Sequence, residues 1–89
     1  VSLTKRLARN LGPDMRVNAV APGWMEGEWM ERMLGDKYET LMGGRAKATP
    51  LKRCVTADDV GEVILNLITG MQFVTGEVVV IDGGFTSST

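Results

Sequence analysis

The sequence contains no histidine and a single cysteine, Cys54. Transition-metal sites are usually built from several imidazole or thiolate ligands, so we expect no metal site. A catalytic thiolate needs a neighbouring base, so we interpret Cys54 as an ordinary loop residue and not as a nucleophile. A single cysteine forms no internal disulfide, which is typical of a reducing compartment. We therefore expect a cytoplasmic protein.

An excess of charge and long apolar runs are also absent. Ten basic and eleven acidic residues give a formal net charge of -1, and the basic residues are scattered. This pattern predicts neither a nucleic-acid partner nor binding to an anionic membrane. No apolar run approaches the ~18 residues that span a bilayer, so we expect no membrane segment and no signal peptide. A hydrophobic content of 44% and a charged content of 24% are typical of one small globular domain.

The stretch from Met15 to Gly23 predicts a short strand. Apolar residues alternate from Met15 to Ala21, and Val20 adds an apolar side chain on the second face. Pro22 has no N–H to donate and Gly23 permits a sharp turn, so the strand ends there. In an open α/β sheet, ligands bind in the crevice outside the carboxyl ends of the strands. We therefore expect the functional residues at Pro22 and just after it.

The remaining pattern predicts helices around a second buried strand. In order, it indicates a helix over residues 1–11, two short amphipathic helices between Trp29 and Met42 that Gly43-Gly44 ends, a loop over 45–55, a helix from an N-cap at Thr56 to Gly70, and a strand over 78–81 covered on both faces. A strand, a crossover helix and a second buried strand form a parallel βαβ unit. The predicted fold class is therefore α/β, a βαβ unit with a helical insertion.

Three motifs resemble the short-chain dehydrogenase/reductase family. Residues 16–23, Arg-Val-Asn-Ala-Val-Ala-Pro-Gly, resemble its strand-six motif, and residues 75–84, which close on Asp-Gly-Gly, resemble its last strand. Residues 50–60 resemble its lead into the last helix. The resemblance implies the C-terminal part of a Rossmann-like doubly wound parallel sheet. Residues 1–89 would be about the final third of such an enzyme, with residues 21–55 as its substrate-loop insertion.

The resemblance also implies a cofactor and its contacts. The intact enzyme would transfer hydride between NAD or NADP and a small-molecule carbonyl or alcohol substrate. The family holds the nicotinamide carboxamide through backbone groups after strand six. The cofactor-binding residues implied here are Pro22, Gly23, Trp24, Met25 and Gly27. Gly27 stands where the family pattern Pro-Gly-x-Ile-x-Thr has its hydroxyl, which puts that side-chain contact in doubt.

A methionine-rich stripe follows this loop. Trp29, Met30 and Met33 recur at helical spacing, a pattern that is usually core packing. Methionine is also adaptable, as a mobile lid that excludes water requires. Because the resembled family has its substrate-binding loop here, we expect a substrate lid formed by Trp29, Met30 and Met33, with core packing as the open alternative.

The catalytic residues of the family are not found in these 89 residues. They contain no G-x-G-x-x-G turn and no Tyr-x-x-x-Lys pair. Tyr38 is the only tyrosine, and the adjacent Lys37 points away from it on a helix, so we assign no catalytic residue. We expect Asn18 to bond a neighbouring loop and Arg53 to pair with a carboxylate or loop carbonyls.

Two functions remain open from the sequence. The first is the C-terminal segment of an NAD(P)-dependent oxidoreductase, inactive by itself, which supplies part of the nicotinamide pocket, the lid and the outer strands. The alternative is a non-catalytic truncated product that acts as an oligomerisation or interaction module. Isolated two-stranded sheets are marginal in water and their edges invite pairing. A folded form of this chain is therefore expected to be a homo-oligomer or to lie against the remainder of its parent protein.

Overall fold

The structure, a computed structural model, describes residues 2–86. Its elements are helix α1 (Ser2–Leu11), strand β1 (Ala19–Pro22), helix α2 (Glu28–Leu34), a 3-10 turn (Gly35–Lys37), helix α3 (Tyr38–Ala48), helix α4 (Ala57–Thr69) and strand β2 (Val78–Ile81). Strands β1 and β2 pair in parallel, in a register from Ala19 opposite Val78 to Pro22 opposite Ile81. Helix α4 lies between α3 and β2 in the chain and packs on β1. The predicted α/β fold is confirmed.

Strand β1 begins four residues later than the alternation starts, because polar side chains before it bind the turn that precedes β2. The Arg16 guanidinium donates to the carbonyls of Leu67 (2.7 Å), Met71 (3.2 Å) and Val74 (3.2 Å). It thereby satisfies carbonyls at the end of α4, where the helix dipole favours a cation. The segment before β1 therefore closes the C-terminus of the crossover helix.

Asn18 fixes the same turn from the other side. Its amide nitrogen donates to the carbonyl of Val74 (3.1 Å), and its amide oxygen accepts from the backbone N–H of Glu77 (3.0 Å). The predicted structural role of Asn18 is confirmed. Together with Arg16, it sets where β2 enters the sheet.

The prediction that Gly43-Gly44 ends the second of the two short amphipathic helices is wrong for α3. The helix continues through both glycines to Ala48, so the predicted loop over 45–55 begins at Thr49. Glycine costs about 1 kcal/mol in a helix interior, which is why the sequence alone favours an end at this pair. The helix ends at Thr49 because Pro50 disfavours the helical conformation before it, and the Thr49 hydroxyl donates to the carbonyl of Arg45 (2.7 Å).

Strand β2 is less covered than its β-branched run predicts. Val80 is 57% exposed, so one face of β2 is open within the part of the chain that the structure describes. The prediction of cover on both faces is therefore wrong for these residues. Val1 of the predicted first helix and the last residues of the predicted tail, 87–89, lie outside the described range.

Helix α4 begins as the sequence predicts, at an N-cap on Thr56. The Thr56 hydroxyl accepts from the backbone N–H of Asp59 (3.2 Å), and the Asp59 carboxylate accepts from the backbone N–H of Thr56 (2.9 Å). The Arg53 guanidinium donates to both oxygens of that carboxylate, at 2.6 and 2.8 Å. The expected pairing of Arg53 with a carboxylate is confirmed, and it locks the loop before α4 to the helix start.

This arrangement predicts an acid-sensitive contribution to stability. The Arg53 guanidinium and the hydrogen bonds from Thr56 hold the pKa of Asp59 well below its usual range. The folded state thus favours the carboxylate, so the contribution is present above the unfolded pKa, about 3.9, and is lost as pH falls toward the folded value. We expect Asp59→Asn to lower the Tm at pH 7 and to flatten the decline of Tm below about pH 4.

Thermal unfolding followed by circular dichroism between pH 2 and 7 measures this effect, because the range spans the titration of the carboxyl in the unfolded state. Asp58→Asn is the matched control, because Asp58 is an exposed acid in the same helical turn. It should keep the acid slope of the parent chain. An Asp59→Asn variant with the parent's slope would contradict the assignment.

Candidate functional site

Gly23 lies where the carboxyl ends of the two strands meet. Its backbone N–H donates to the carbonyl of Ile81 (2.9 Å), which extends the pairing one residue beyond β1. A Cβ on Gly23 would lie 2.8 Å from the Cβ and 3.2 Å from the Cα of Asp82. Only glycine fits this approach, so the sequence motif Pro-Gly has a packing reason as well as a turn reason.

The Asp-Gly-Gly sequence after β2 forms a self-bonded turn. The Asp82 carboxylate accepts from the backbone N–H groups of Gly84 (2.9 Å) and Thr86 (2.9 Å) and from the Thr86 hydroxyl. The hydrogen bonds from Thr86 hold the pKa of Asp82 below its usual range. Gly83 and Gly84 both have positive φ, at +61° and +90°, which favours glycine. The turn is therefore held by its own hydrogen bonds beside the strand ends.

Met25 is held at the strand ends by a parallel bridge to Val55. The Val55 N–H donates to the carbonyl of Trp24 (2.9 Å), and the Glu26 N–H donates to the carbonyl of Val55 (2.8 Å). In this pattern the flanking residues bond Val55, and the N–H and C=O of Met25 point to the opposite side. Among residues 2–86, neither Met25 group has a hydrogen-bond partner. Met25 thus presents one donor and one acceptor beside the strand ends.

A cavity of about 520 Å³ lies beside this segment, in the crevice where ligands bind in open α/β sheets. Its lining is mostly apolar and comprises Gly23, Trp24, Met25, Glu26, Gly27, Glu28, Trp29 and Met30. The lining therefore brings together most of the residues that the sequence predicts for cofactor and lid. Pro22 ends β1 outside the lining, and Met33 lies beyond it with 61% of its surface exposed.

Helix α2 covers one side of the cavity without being anchored in a core. None of its residues is buried, and Trp29 is 67% exposed. Gly27 and Gly35, at its two ends, have positive φ values of +146° and +56°. The open alternative for the methionine stripe is core packing. Within the described residues, α2 is not packed in a core. Helix α2 therefore combines glycine at both ends with little buried surface.

The backbone of Gly27 suits glycine and does not suit the hydroxyl residue of the resembled family pattern. With φ +146° and ψ 176°, its backbone occupies a region that is essentially restricted to glycine. A threonine would be strained there whatever space surrounds it. The Gly27 N–H instead donates to the Tyr38 hydroxyl (3.2 Å), which links the start of α3 to the N-terminal end of α2. Tyr38 therefore has a structural contact here.

Two residues near the cavity have roles that the sequence pattern does not indicate. The Arg45 guanidinium lies 4.5 Å from the centroid of the Trp24 ring, and no spacing rule links two residues so far apart. Cys54 is buried and its thiol donates to the carbonyl of Met42 (3.4 Å). Burial raises the pKa of the Cys54 thiol, so this residue packs the loop against α3.

Two other classes of feature can be assessed over residues 2–86. In that range no cluster of three or more acidic, histidine or cysteine residues could hold a metal ion. Every helix of the same range is too short or too polar to cross a bilayer. A second hollow of about 420 Å³ lies between β1 and α4, and its polar side chains, Arg16 and Asn18, already bond backbone groups.

The chain matches known proteins over nearly all of its length. A family profile described as "Enoyl-(Acyl carrier protein) reductase" matches residues 1–86. The 3-oxoacyl-(acyl-carrier-protein) reductase FabG of Thermotoga maritima is 38% identical over 86 residues, which are 94% of this chain and 33% of that protein.

Solved structures agree with the sequence relatives. A short-chain dehydrogenase/reductase of Brucella melitensis superposes with a TM-score of 0.81 at 35% identity, over 94% of this chain and 33% of that one. A small-chain dehydrogenase in complex with NADPH superposes with a TM-score of 0.84 at 31% identity, over 94% of this chain and 37% of that one. This chain spans about a third of the length of the curated relatives that it first matches.

Proposed function

We propose that residues 22–30 form the nicotinamide side of an oxidoreductase site, because this chain belongs to the short-chain dehydrogenase/reductase family. The match of residues 1–86 to the family profile carries the premise. The proposed reaction is hydride transfer between NAD or NADP and a small-molecule carbonyl or alcohol substrate. A related dehydrogenase in complex with NADPH supports this cofactor class. Residues 1–89 act as the C-terminal segment of the domain and residues 21–55 as its substrate-loop insertion.

The backbone of Met25 is the observation that carries this proposal. A nicotinamide carboxamide offers one NH₂ donor group and one carbonyl acceptor. The N–H and C=O of Met25 complement that pair, and neither has a hydrogen-bond partner among residues 2–86. They face away from Val55 beside an apolar cavity at the carboxyl ends of parallel strands. In this proposal Trp24 and Met25 lie against the nicotinamide ring of the cofactor. Pro22 and Gly23 form the turn that places them there.

The lid role of α2 rests on its position and its weak anchoring. Trp29 and Met30 line the cavity, whereas no residue of the helix is buried. We propose that α2 closes on the substrate and that Met33 is covered only in the closed state. Closure would exclude water from the reacting carbonyl.

A non-catalytic interaction module remains the alternative, and exposed apolar surface favours it. Phe73 and Val80 are largely exposed, and the sheet of the described range has only two strands. Such sheets are marginal without a partner. We propose self-association through this surface as a property that both functions share.

A chimera tests the oxidoreductase proposal. Residues 1–86 replace the matched stretch of the Thermotoga maritima reductase, which retains its own upstream residues. We expect the folded chimera to bind NADPH or NADH and to reduce a ketone. Cofactor affinity is measured by fluorescence titration and turnover by absorbance. A folded chimera that binds neither cofactor would contradict the proposal.

Two variants of the chimera separate the backbone contact from the side chain. Met25→Pro removes the donor N–H, whereas Met25→Ala keeps it and truncates only the side chain. One neutral hydrogen bond contributes about 0.5–1.5 kcal/mol, so Met25→Pro should weaken cofactor binding about two- to tenfold relative to Met25→Ala. Equal affinities for the two variants would exclude a carboxamide contact through the Met25 N–H.

A further inference from the structure

Arg45 joins three separate segments beside the cavity. It belongs to the last turn of α3, and its guanidinium carbon lies 4.5 Å from the Trp24 ring centroid and 5.8 Å from the Phe85 ring centroid. Trp24 follows β1 and Phe85 follows β2. Both distances are within the range of cation–π attraction, which is strongest for tryptophan. One side chain of the insertion therefore contacts the segments after both strands.

Within residues 2–86, the charge of Arg45 has no ionic partner. The ion pairs within residues 2–86 are Arg32 with Glu28 and Arg53 with Asp59, and Arg45 belongs to neither. Its Nε is buried without a hydrogen-bond acceptor among the described residues. A buried unpaired donor is unfavourable, and an apolar side chain would fill the same space without leaving one. Packing alone therefore does not explain an arginine here, whereas a cation held over the Trp24 ring does.

The base from which Arg45 projects is fixed to the turn after β2. The Thr49 hydroxyl donates to the Arg45 carbonyl, and the Leu51 N–H donates to the carbonyl of Gly83 (3.1 Å). A Cβ on Gly83 would lie 2.8 Å from the Thr49 methyl carbon. The end of α3 is therefore seated closely on the rigid Asp82 turn, while α2, at the other end of the insertion, is anchored by no buried residue.

We propose that Arg45 is a positioning residue: it holds the Trp24 indole in place as a wall of the cavity. This inference rests on the proposed function, because the cavity beside Trp24 is the proposed nicotinamide and substrate pocket. Trp24 is 37% exposed, and its ring contacts the Arg45 guanidinium. In this proposal, that contact determines the orientation of the ring. The ring orientation in turn sets the width available to a neutral, apolar ligand group. Arg45 thereby acts on ligand selection without touching the ligand.

Fluorescence of Trp24 tests the inference without any nicotinamide cofactor. Trp29→Phe leaves Trp24 as the only tryptophan of the chain. In that background, Arg45→Met should shift the Trp24 emission to longer wavelength and raise its acrylamide quenching constant about twofold or more, because the indole is released from the cation. Arg45→Lys keeps a cation and should restore part of the change. Arg6→Met is the matched control, because it removes one exposed guanidinium from α1, outside the cavity lining, and should change neither value.

Ligand binding supplies the second readout. The probe is N-phenyl-1-naphthylamine, a neutral apolar fluorophore, so loss of a charge does not alter its affinity directly. We expect Arg45→Met to weaken its binding about two- to fivefold, the size of one exposed cation–π contact, with Arg45→Lys between the two. Arg6→Met should bind it as the parent does.

The outcomes separate positioning from a structural role and from the proposed function. Unchanged quenching and unchanged probe affinity in a folded Arg45→Met variant would overturn the inference. Unfolding of both Arg45→Met and Arg45→Gln, with Arg45→Lys folded, would overturn it too and assign Arg45 to stability. If Arg45→Met changes quenching and probe affinity as expected while the chimera binds no dinucleotide, the positioning role of Arg45 stands and the oxidoreductase site is contradicted.

Discussion

The purified 89-residue chain is expected to oxidise no NADH or NADPH above the blank rate with any of a panel of ketones. Its residues contain no Gly-rich phosphate turn to orient a dinucleotide. Orientation of reactants can contribute about 7–11 kcal/mol to lowering the barrier. A positioned proton donor typically adds about 10²- to 10⁴-fold, and the chain has no Tyr-x-x-x-Lys pair. Loss of both contributions leaves no measurable rate.

The one tyrosine does not change this expectation. The Tyr38 hydroxyl accepts a hydrogen bond from the Gly27 N–H and sits at the start of α3, and Lys37 precedes it in the chain. Absorbance at the reduced-cofactor band measures the rate, with the chimera as positive control. Turnover that co-purifies with the chain and disappears in Tyr38→Phe or Lys37→Met would contradict the assignment and require a different active site.

The sequence predicts those parts of the fold that depend on local chemistry. Thr56 and Asp59 form a capping box because hydroxyl and carboxylate groups bond helix N–H groups at short range. The alternation before Pro22 and the β-branched run at 78–81 predict two strands, and the crossover helix between them makes the pair parallel. These patterns act within a few residues, so one sequence is enough to recognise them.

The parts that the sequence did not predict depend on contacts between distant segments. Gly43-Gly44 predicts a helix end, but α3 continues four residues beyond Gly44 and ends before Thr49 and Pro50. The bridge that directs the Met25 N–H and C=O away from Val55 depends on a residue 30 positions away in the chain. No local pattern carries such a pairing. The position of Arg45 over Trp24 is hidden from the sequence for the same reason.

Gly23→Ala is expected to cause a large loss of stability for a single methyl group. The added Cβ would lie 2.8 Å from the Cβ of Asp82, a separation that real Cβ atoms essentially never show. Neither atom belongs to the flexible end of a side chain, so the ends of β1 and β2 must separate. Overpacking of this kind typically costs about 1–3 kcal/mol. For a domain of this size that corresponds to a fall in Tm of about 4–8 °C per kcal/mol.

The same substitution at Gly61 is the matched control and should act in the opposite direction. Gly61 lies inside α4, and a Cβ there would meet no atom within 4 Å. Alanine is favoured over glycine in a helix interior by about 0.5–1 kcal/mol, so Gly61→Ala should raise the Tm. Thermal and urea unfolding of both variants give the two signs directly. A Gly23→Ala variant as stable as the parent chain would show that the strand ends do not approach as closely as Gly23 and Asp82 require.

Gly23→Ala should also open the cavity, because the Gly23 N–H bond to Ile81 is the last link between the strand ends. Separation of the ends displaces Trp24 and Met25, which follow Gly23 directly and line the cavity. Binding of the neutral naphthylamine probe should therefore weaken in Gly23→Ala and stay unchanged in Gly61→Ala. If Gly23→Ala lowers the Tm but binds the probe as the parent does, the strand ends support the fold without shaping the cavity, and the site must be built on α2 alone.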